Sequence, residues 1–240
     1  RVPNNRLDHV NVFEVPDPAY YAMLRVDDAA VLRDTILGGR HNNTSSSGRN
    51  SNTTVDKDNY YNDHCGNGST DNNPTGKPRI AILNRHLSRE WLNADDVVGA
   101  LQPYAARGEI PIVFLDGKTF LEQISFFRDV DVLLSPHGAQ LTGLPFMPDC
   151  GSVLEVFPVG YHLPYYFGSL AGAANLRHGY STVTLSGNWS DEAALVMPKL
   201  KERNRVRNTR LCPDVNVIVD GVLELIDGWK ECCRAKMQDR

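Results

Sequence analysis

The chain lacks the short motifs that most directly announce a cofactor or a metal. Its 240 residues contain no GxGxxG turn, no GxxxxGK[ST] loop and no CxxC pair, so nicotinamide, P-loop and zinc-ribbon readings lose their usual support. No run of about 18 apolar residues occurs, which excludes a helical membrane span within it. Positive charge is not in excess. A net charge of −4 and a pI near 6.0 argue against a nucleic-acid partner, while leaving room for a local basic pocket. Cysteine is sparse: Cys65, Cys150, Cys212, Cys232 and Cys233 are too scattered for a zinc site. In an oxidising compartment one disulfide is expected, from Cys212 to Cys232 or Cys233, and the odd count leaves a thiol over. The chain starts at Arg1 with no signal-like stretch, which reads as a fragment or processed form, any membrane anchor lying outside it.

What remains is an ordinary globular composition, 41% hydrophobic and 22% charged, long enough to bury a substantial core. Residues 1–37 read as a helical lead-in, the remnant of an amino-terminal half. Asp17-Pro18 forms its cap and first turn, and Gly38-Gly39 its end. Residues 38–78 are mostly Asn, Ser, Thr and Gly, with almost nothing to bury, and read as a disordered insertion. Acceptor sequons for N-glycosylation fall there at Asn42, Asn43, Asn52 and Asn67. A fifth, Asn188 in Asn-Trp-Ser, is more informative because its surroundings are not Asn-rich.

Residues 79–240 read as one domain. Strands are predicted at Arg79–Leu83, Ile110–Leu115, Val130–Ser135, Ser152–Phe157 and Tyr180–Leu185. Between them, helices are predicted from the Asn93 cap to Gly108, over Thr119–Arg128, near Gln140–Phe146 and over Tyr165–Ala174, and a last one runs from an Asp220 cap to Cys233. Strands alternating with helices predict right-handed βαβ units, hence a Rossmann-like parallel sheet with helices on both faces.

Such sheets bind ligands beyond the carboxyl ends of their strands, and the unexpected polar residues fall there. Strand one runs into Asn84, Arg85 and Arg89, strand three into His137-Gly138, and Glu155 lies inside strand four. Arginine forks and a helix amino end both suit phosphate, with Gly138 allowing close backbone approach. Glu155 is costly to bury unless it holds something, and a ribose hydroxyl pair is a natural partner. Asp116 in "LDGK" reads as a turn residue, and the aromatic run Tyr161–Ser169 as packing, although sugars stack on such rings. The set points to a nucleoside-diphosphate ligand held without a glycine fingerprint.

The ordered set Arg85, Ser88-Arg89, Asn93, Gln123, Asp131, His137-Gly138-Ala139, Leu141-Thr142 and Glu155 resembles glycosyltransferase family 61. That family includes plant β-1,2-xylosyltransferases and animal O-linked N-acetylglucosaminyltransferases. The resemblance covers Arg79 to Pro158 well. It implies the carboxyl-terminal half of a GT-B enzyme that inverts configuration, moving xylose or N-acetylglucosamine from a UDP-sugar to a glycan or glycoprotein acceptor. No cofactor beyond that co-substrate is implied to be required, and a divalent metal is left open. The donor site falls on Asn84, Arg85, Arg89, His137, Gly138, Ala139, Gln140, Thr142 and Glu155. Arg89 and His137 would stabilise the leaving group, and the base is left unassigned. The implied location is the lumen of the Golgi or endoplasmic reticulum, type II membrane-anchored in full length. The alternative is a non-catalytic nucleotide-sugar- or glycan-binding module of the same fold.

Overall fold

The computed structural model describes residues 10–13, 32, 36, 65, 76–106, 108–183 and 199–238. The predicted Asp17–Gly38 helix, except for helical Leu32 and Ile36, lies outside them. So do the insertion, apart from Cys65 and the residues from 76 on, and all five sequons.

Strands β1 (Val10–Phe13), β2 (Ile80–Leu83), β3 (Ile112–Val113), β4 (Val132–Pro136), β5 (Ser152–Pro158) and β6 (Arg177–Val183) form one six-stranded sheet in the order β1-β6-β5-β4-β2-β3. β2 to β6 are mutually parallel, and β1 pairs antiparallel with β6. The helices are α1 (Ala94–Leu101), α2 (Phe120–Arg128), α3 (Pro164–Ala173), α4 (Leu200–Arg207) and α5 (Val215–Gln238). The fold is therefore α/β, built on five parallel strands with an antiparallel edge.

Alternation along the strands divides the core into two. Ile80, Ile82, Val132, Leu134, Leu154 and Val156 face Val97 and Leu101 of α1 and Ile218, Val222 and Leu225 of α5. Ala81, Leu83, Leu133 and Val153 face the other way, onto Ile124 and Phe127 of α2 and Phe167 and Ala171 of α3. Burial on both faces explains why these strands read as continuous apolar runs. α2 starts where expected because Thr119 and Glu122 form a capping box. The expected helix at Gln140 is a 3-10 helix, Ala139–Phe146, and contains Pro145.

Several expectations need correction. The first helix gives way to a 3-10 turn at Gln102–Tyr104 and stops short of Gly108. α5 starts five residues before Asp220. Asp214 caps it, its Oδ1 accepting from Asn216 N at 2.8 Å. β1 and α4 were not anticipated. Cys212 is in no disulfide. The bridges are Cys65–Cys233 and Cys150–Cys232, with Cys212 free and exposed. Successive residues on an α-helix point about 100° apart, so adjacent cysteines on α5 can reach two different partners. No helix among the described residues is long and apolar enough to cross a membrane.

Candidate active site at the switch point of the sheet

In chain order the parallel strands run from the middle outward to β3, then return to β4 on the other side of β2. The order reverses between β2 and β4, and the crevice beyond the carboxyl ends of two such strands is where open α/β sheets hold ligands. β2 delivers Asn84, Arg85 and Arg89 there, and β4 delivers His137 and Gly138.

The loop after β2 is built to hold its arginines. Asn84 is buried. Its Oδ1 accepts from Arg85 N (2.8 Å) and Trp91 N (2.9 Å), while its Nδ2 donates to Trp91 O (2.9 Å). Asn84 therefore shapes the loop. The strand ends are tied across the crevice by Gln140, whose Nε2 donates to Ser135 Oγ at 2.9 Å, and by Ser135 Oγ, which donates to Leu83 O at 3.0 Å. Thr142 is exposed and its hydroxyl donates back to Ala139 O. Asp131 and Gln123 serve the frame, Asp131 pairing with Arg79 at the opposite edge and Gln123 bonding Lys118 O.

Arg89 is held in a costly state. It is 3% exposed, its φ of +57° lies in the left-handed region, and its Nε and Nη1 are buried without a hydrogen-bond partner. Each of these is unfavourable for an arginine. Burial, then Arg85 and Arg207, lower its pKa to about 10. Arg85 is half-buried with Nε unpaired. Its Nη1 would lie 2.5 Å from a Cβ at Gly138, so the glycine makes room for this guanidinium rather than only for a ligand.

Arg207 is the site residue that reading the sequence missed. It ends α4, stands over the Tyr161 ring at 5.7 Å, and lies close enough to lower the pKa of Arg85, Arg89 and His137. The connection after α4 is stitched to the Arg85 loop: Leu211 N donates to Glu90 O, Leu92 N to Leu211 O, and Asn93 Nδ2 to Pro213 O. These tertiary contacts, with the Arg210 Nε–Glu90 Oε2 ion pair at 3.0 Å, bring Arg207 to the cluster. The basic run in α4 by itself resembles a solvated face.

His137 is 5% exposed and caged by Phe157, Tyr161, Tyr166 and Phe167, with ring centroids 4.9–6.2 Å away. Its Nδ1 lies 2.5 Å from Glu155 Oε1, and Glu155 Oε2 lies 2.9 Å from Nε2 of buried His178. Both carboxyl oxygens are thus engaged and the residue has no exposed surface. This corrects the expected ribose contact, which needs an accessible oxygen. Burial pushes the Glu155 carboxyl well up, while burial and the nearby guanidiniums push His137 down to about 3.

Three guanidiniums and an imidazole around one crevice suit a multiply charged anion such as a diphosphate. Among the described residues, the one group of side chains near enough to share a metal is Cys65, Cys150 and Cys233, and disulfides consume all three.

The family model described as Glycosyltransferase 61 matches residues 14–154, more than half of the chain. The alpha-1,3-arabinosyltransferase XAT3 of Oryza sativa subsp. japonica is 31% identical over 91 residues, 36% of this chain and 15% of that protein. The EGF domain-specific O-linked N-acetylglucosamine transferase of Bos taurus is 36% identical over 88 residues, 35% of this chain and 16% of that one. The beta-1,2-xylosyltransferase XYXT1 of Oryza sativa subsp. japonica is 31% identical over 84 residues, 35% of this chain and 17% of its own length. The chain thus spans less than a fifth of each of these relatives.

Proposed function

This chain belongs to glycosyltransferase family 61, and from that premise we propose that it acts in glycosyl transfer and that its arginine cluster binds the diphosphate of a nucleotide-sugar donor. The observation that carries this reading is Arg89, a buried guanidinium with two unpaired nitrogens beside two more guanidiniums. A site that accepts such a cost in the free protein is arranged to regain it from a bound anion.

The reaction proposed is inverting transfer from a UDP-sugar, with xylose, arabinose and N-acetylglucosamine named for the matched relatives. The bond between the anomeric carbon and the β-phosphate oxygen breaks, and its electron pair stays on that oxygen. A hydroxyl oxygen of a glycan or glycoprotein acceptor forms the new bond from the opposite side. Its proton passes to a base that this reading assigns to the other half of a GT-B arrangement. Arg85, Arg89, Arg207 and His137 stabilise the charge that develops on the departing diphosphate. Two disulfides suit an oxidising lumen, supporting a place in the secretory pathway.

A thermal-shift panel tests the donor class. UDP, UDP-xylose and UDP-N-acetylglucosamine at about 1 mM are expected to raise the melting temperature, because a ligand that binds only the folded state stabilises it. GDP- and CMP-sugars should do less. A melting temperature unmoved by all three uridine nucleotides would contradict the reading.

A further inference from the structure

We propose that Glu155 works as a neutral carboxylic acid whose hydroxyl donates to His137 Nδ1, fixing that imidazole as the tautomer with its proton on Nε2. Glu155 is then a positioning residue and His137 the group that meets the ligand. The role given to the Nε2–H rests on the diphosphate reading above, as does one of the two arguments for the proton's position; the other, burial of the carboxyl, stands apart from it.

The geometry leaves few arrangements. Oε1 and Oε2 of Glu155 lie 2.5 and 2.9 Å from nitrogens of two different histidines, inside a residue with no exposed surface. An ionised carboxylate can only accept. It would require Nδ1 of His137 to carry a proton, which leaves Nε2 either a bare lone pair or part of an imidazolium. The imidazolium is opposed first by burial, then by Arg89, Arg207 and Arg85. A lone pair in a crevice built for anions would repel a phosphate oxygen. A protonated Glu155 removes both conflicts. Its Oε1–H donates to Nδ1, its Oε2 accepts from His178 Nε2–H, and His137 keeps a donor at Nε2, which has no hydrogen-bond partner among the described residues. No unpaired ion is then buried between the two rings. Burial raising the carboxyl and lowering both imidazoles works in the same direction. A carboxylic acid kept neutral so that it can donate is an established use of an apolar site.

The proton can be seen directly. In 15N-histidine-labelled protein, long-range proton–nitrogen correlations separate the two neutral tautomers from each other and from imidazolium. His137 is assigned by the signals lost in His137→Gln. The expected ligand-free spectrum shows His137 protonated at Nε2 and bare at Nδ1. Glu155→Leu frees the ring and should lower UDP affinity by about tenfold. Glu155→Gln should rescue it to within about threefold and retain the tautomer, since its amide donates to Nδ1 and its oxygen accepts from His178. A wild-type His137 protonated at Nδ1, or a folded Glu155→Gln protein whose ring changes tautomer, overturns the proposal. The wild-type spectrum decides even if neither Glu155 variant folds. Absence of UDP binding by the wild type would overturn the diphosphate reading, and with it the ligand role of Nε2–H, without altering where the proton sits.

Discussion

Arg89→Met is expected to make the domain more stable and at the same time nearly unable to hold a nucleoside diphosphate. The two effects have one cause. The guanidinium is buried with Nε and Nη1 unpaired and with two like charges nearby. Depression of its pKa to about 10 corresponds to about 3 kcal/mol against keeping the charge in the folded state. Methionine retains the length and apolar stem without the charge. A gain of about 1–3 kcal/mol in unfolding free energy is expected in urea melts. A cation disfavoured by folding costs stability at every pH below its folded-state value, and the cost is relieved only as the pH rises past it. The gain should therefore be flat between about pH 6 and 9. UDP affinity should fall by about a hundredfold, close to 3 kcal/mol, because a charge-assisted contact to phosphate is lost. Melts and titrations on the same samples check both. A variant that is destabilised but binds UDP normally would make Arg89 a structural residue.

The second large effect concerns the disulfides. Cys150–Cys232 and Cys65–Cys233 join residues 82 and 168 apart in sequence. Chain-entropy arguments give about 4–5 kcal/mol for closing loops of that size. Cys150→Ser should thus lower stability by about 4 kcal/mol, and reductant, which opens both bridges, should lower that of the wild type by more. Cys212→Ser should change little, since the thiol is exposed and unpaired. Denaturation without reductant should expose one titratable thiol per chain, and peptide mapping should find it at Cys212. Two or more thiols, or Cys212 within a bridge, would contradict the pairing.

Most of the frame was legible because its signals are local. The strands alternate between two buried faces and so read as apolar runs. Thr119 and Glu122 cap α2 within four residues, Arg85 and His137 sit at strand ends, and Arg89 lies in the loop that follows β2. What escaped depends on contacts between distant segments. Arg207 joins the cluster through the docking of its segment, where Leu211 pairs beside Trp91 and Arg210 beside Glu90. β1 owes its place to β6, some 170 residues onward, and four residues alone carry little strand signal. The cysteine pairing follows from where α5 packs. The cost of a carboxyl at Glu155 is legible in its apolar strand, but its partner is a pair of imidazoles, one of them on β6, whose register with β5 no sequence pattern reveals.

The central claim is that this crevice recognises a diphosphate. It is tested most directly by calorimetric titration of the protein with UDP, UMP and uridine under one buffer at low salt. The account predicts saturable binding of UDP, weaker binding of UMP, and uridine weaker than UDP by at least about a hundredfold, with UDP affinity falling as salt is added. Uridine binding as tightly as UDP, or UDP producing no binding heat at any temperature tried, would contradict it.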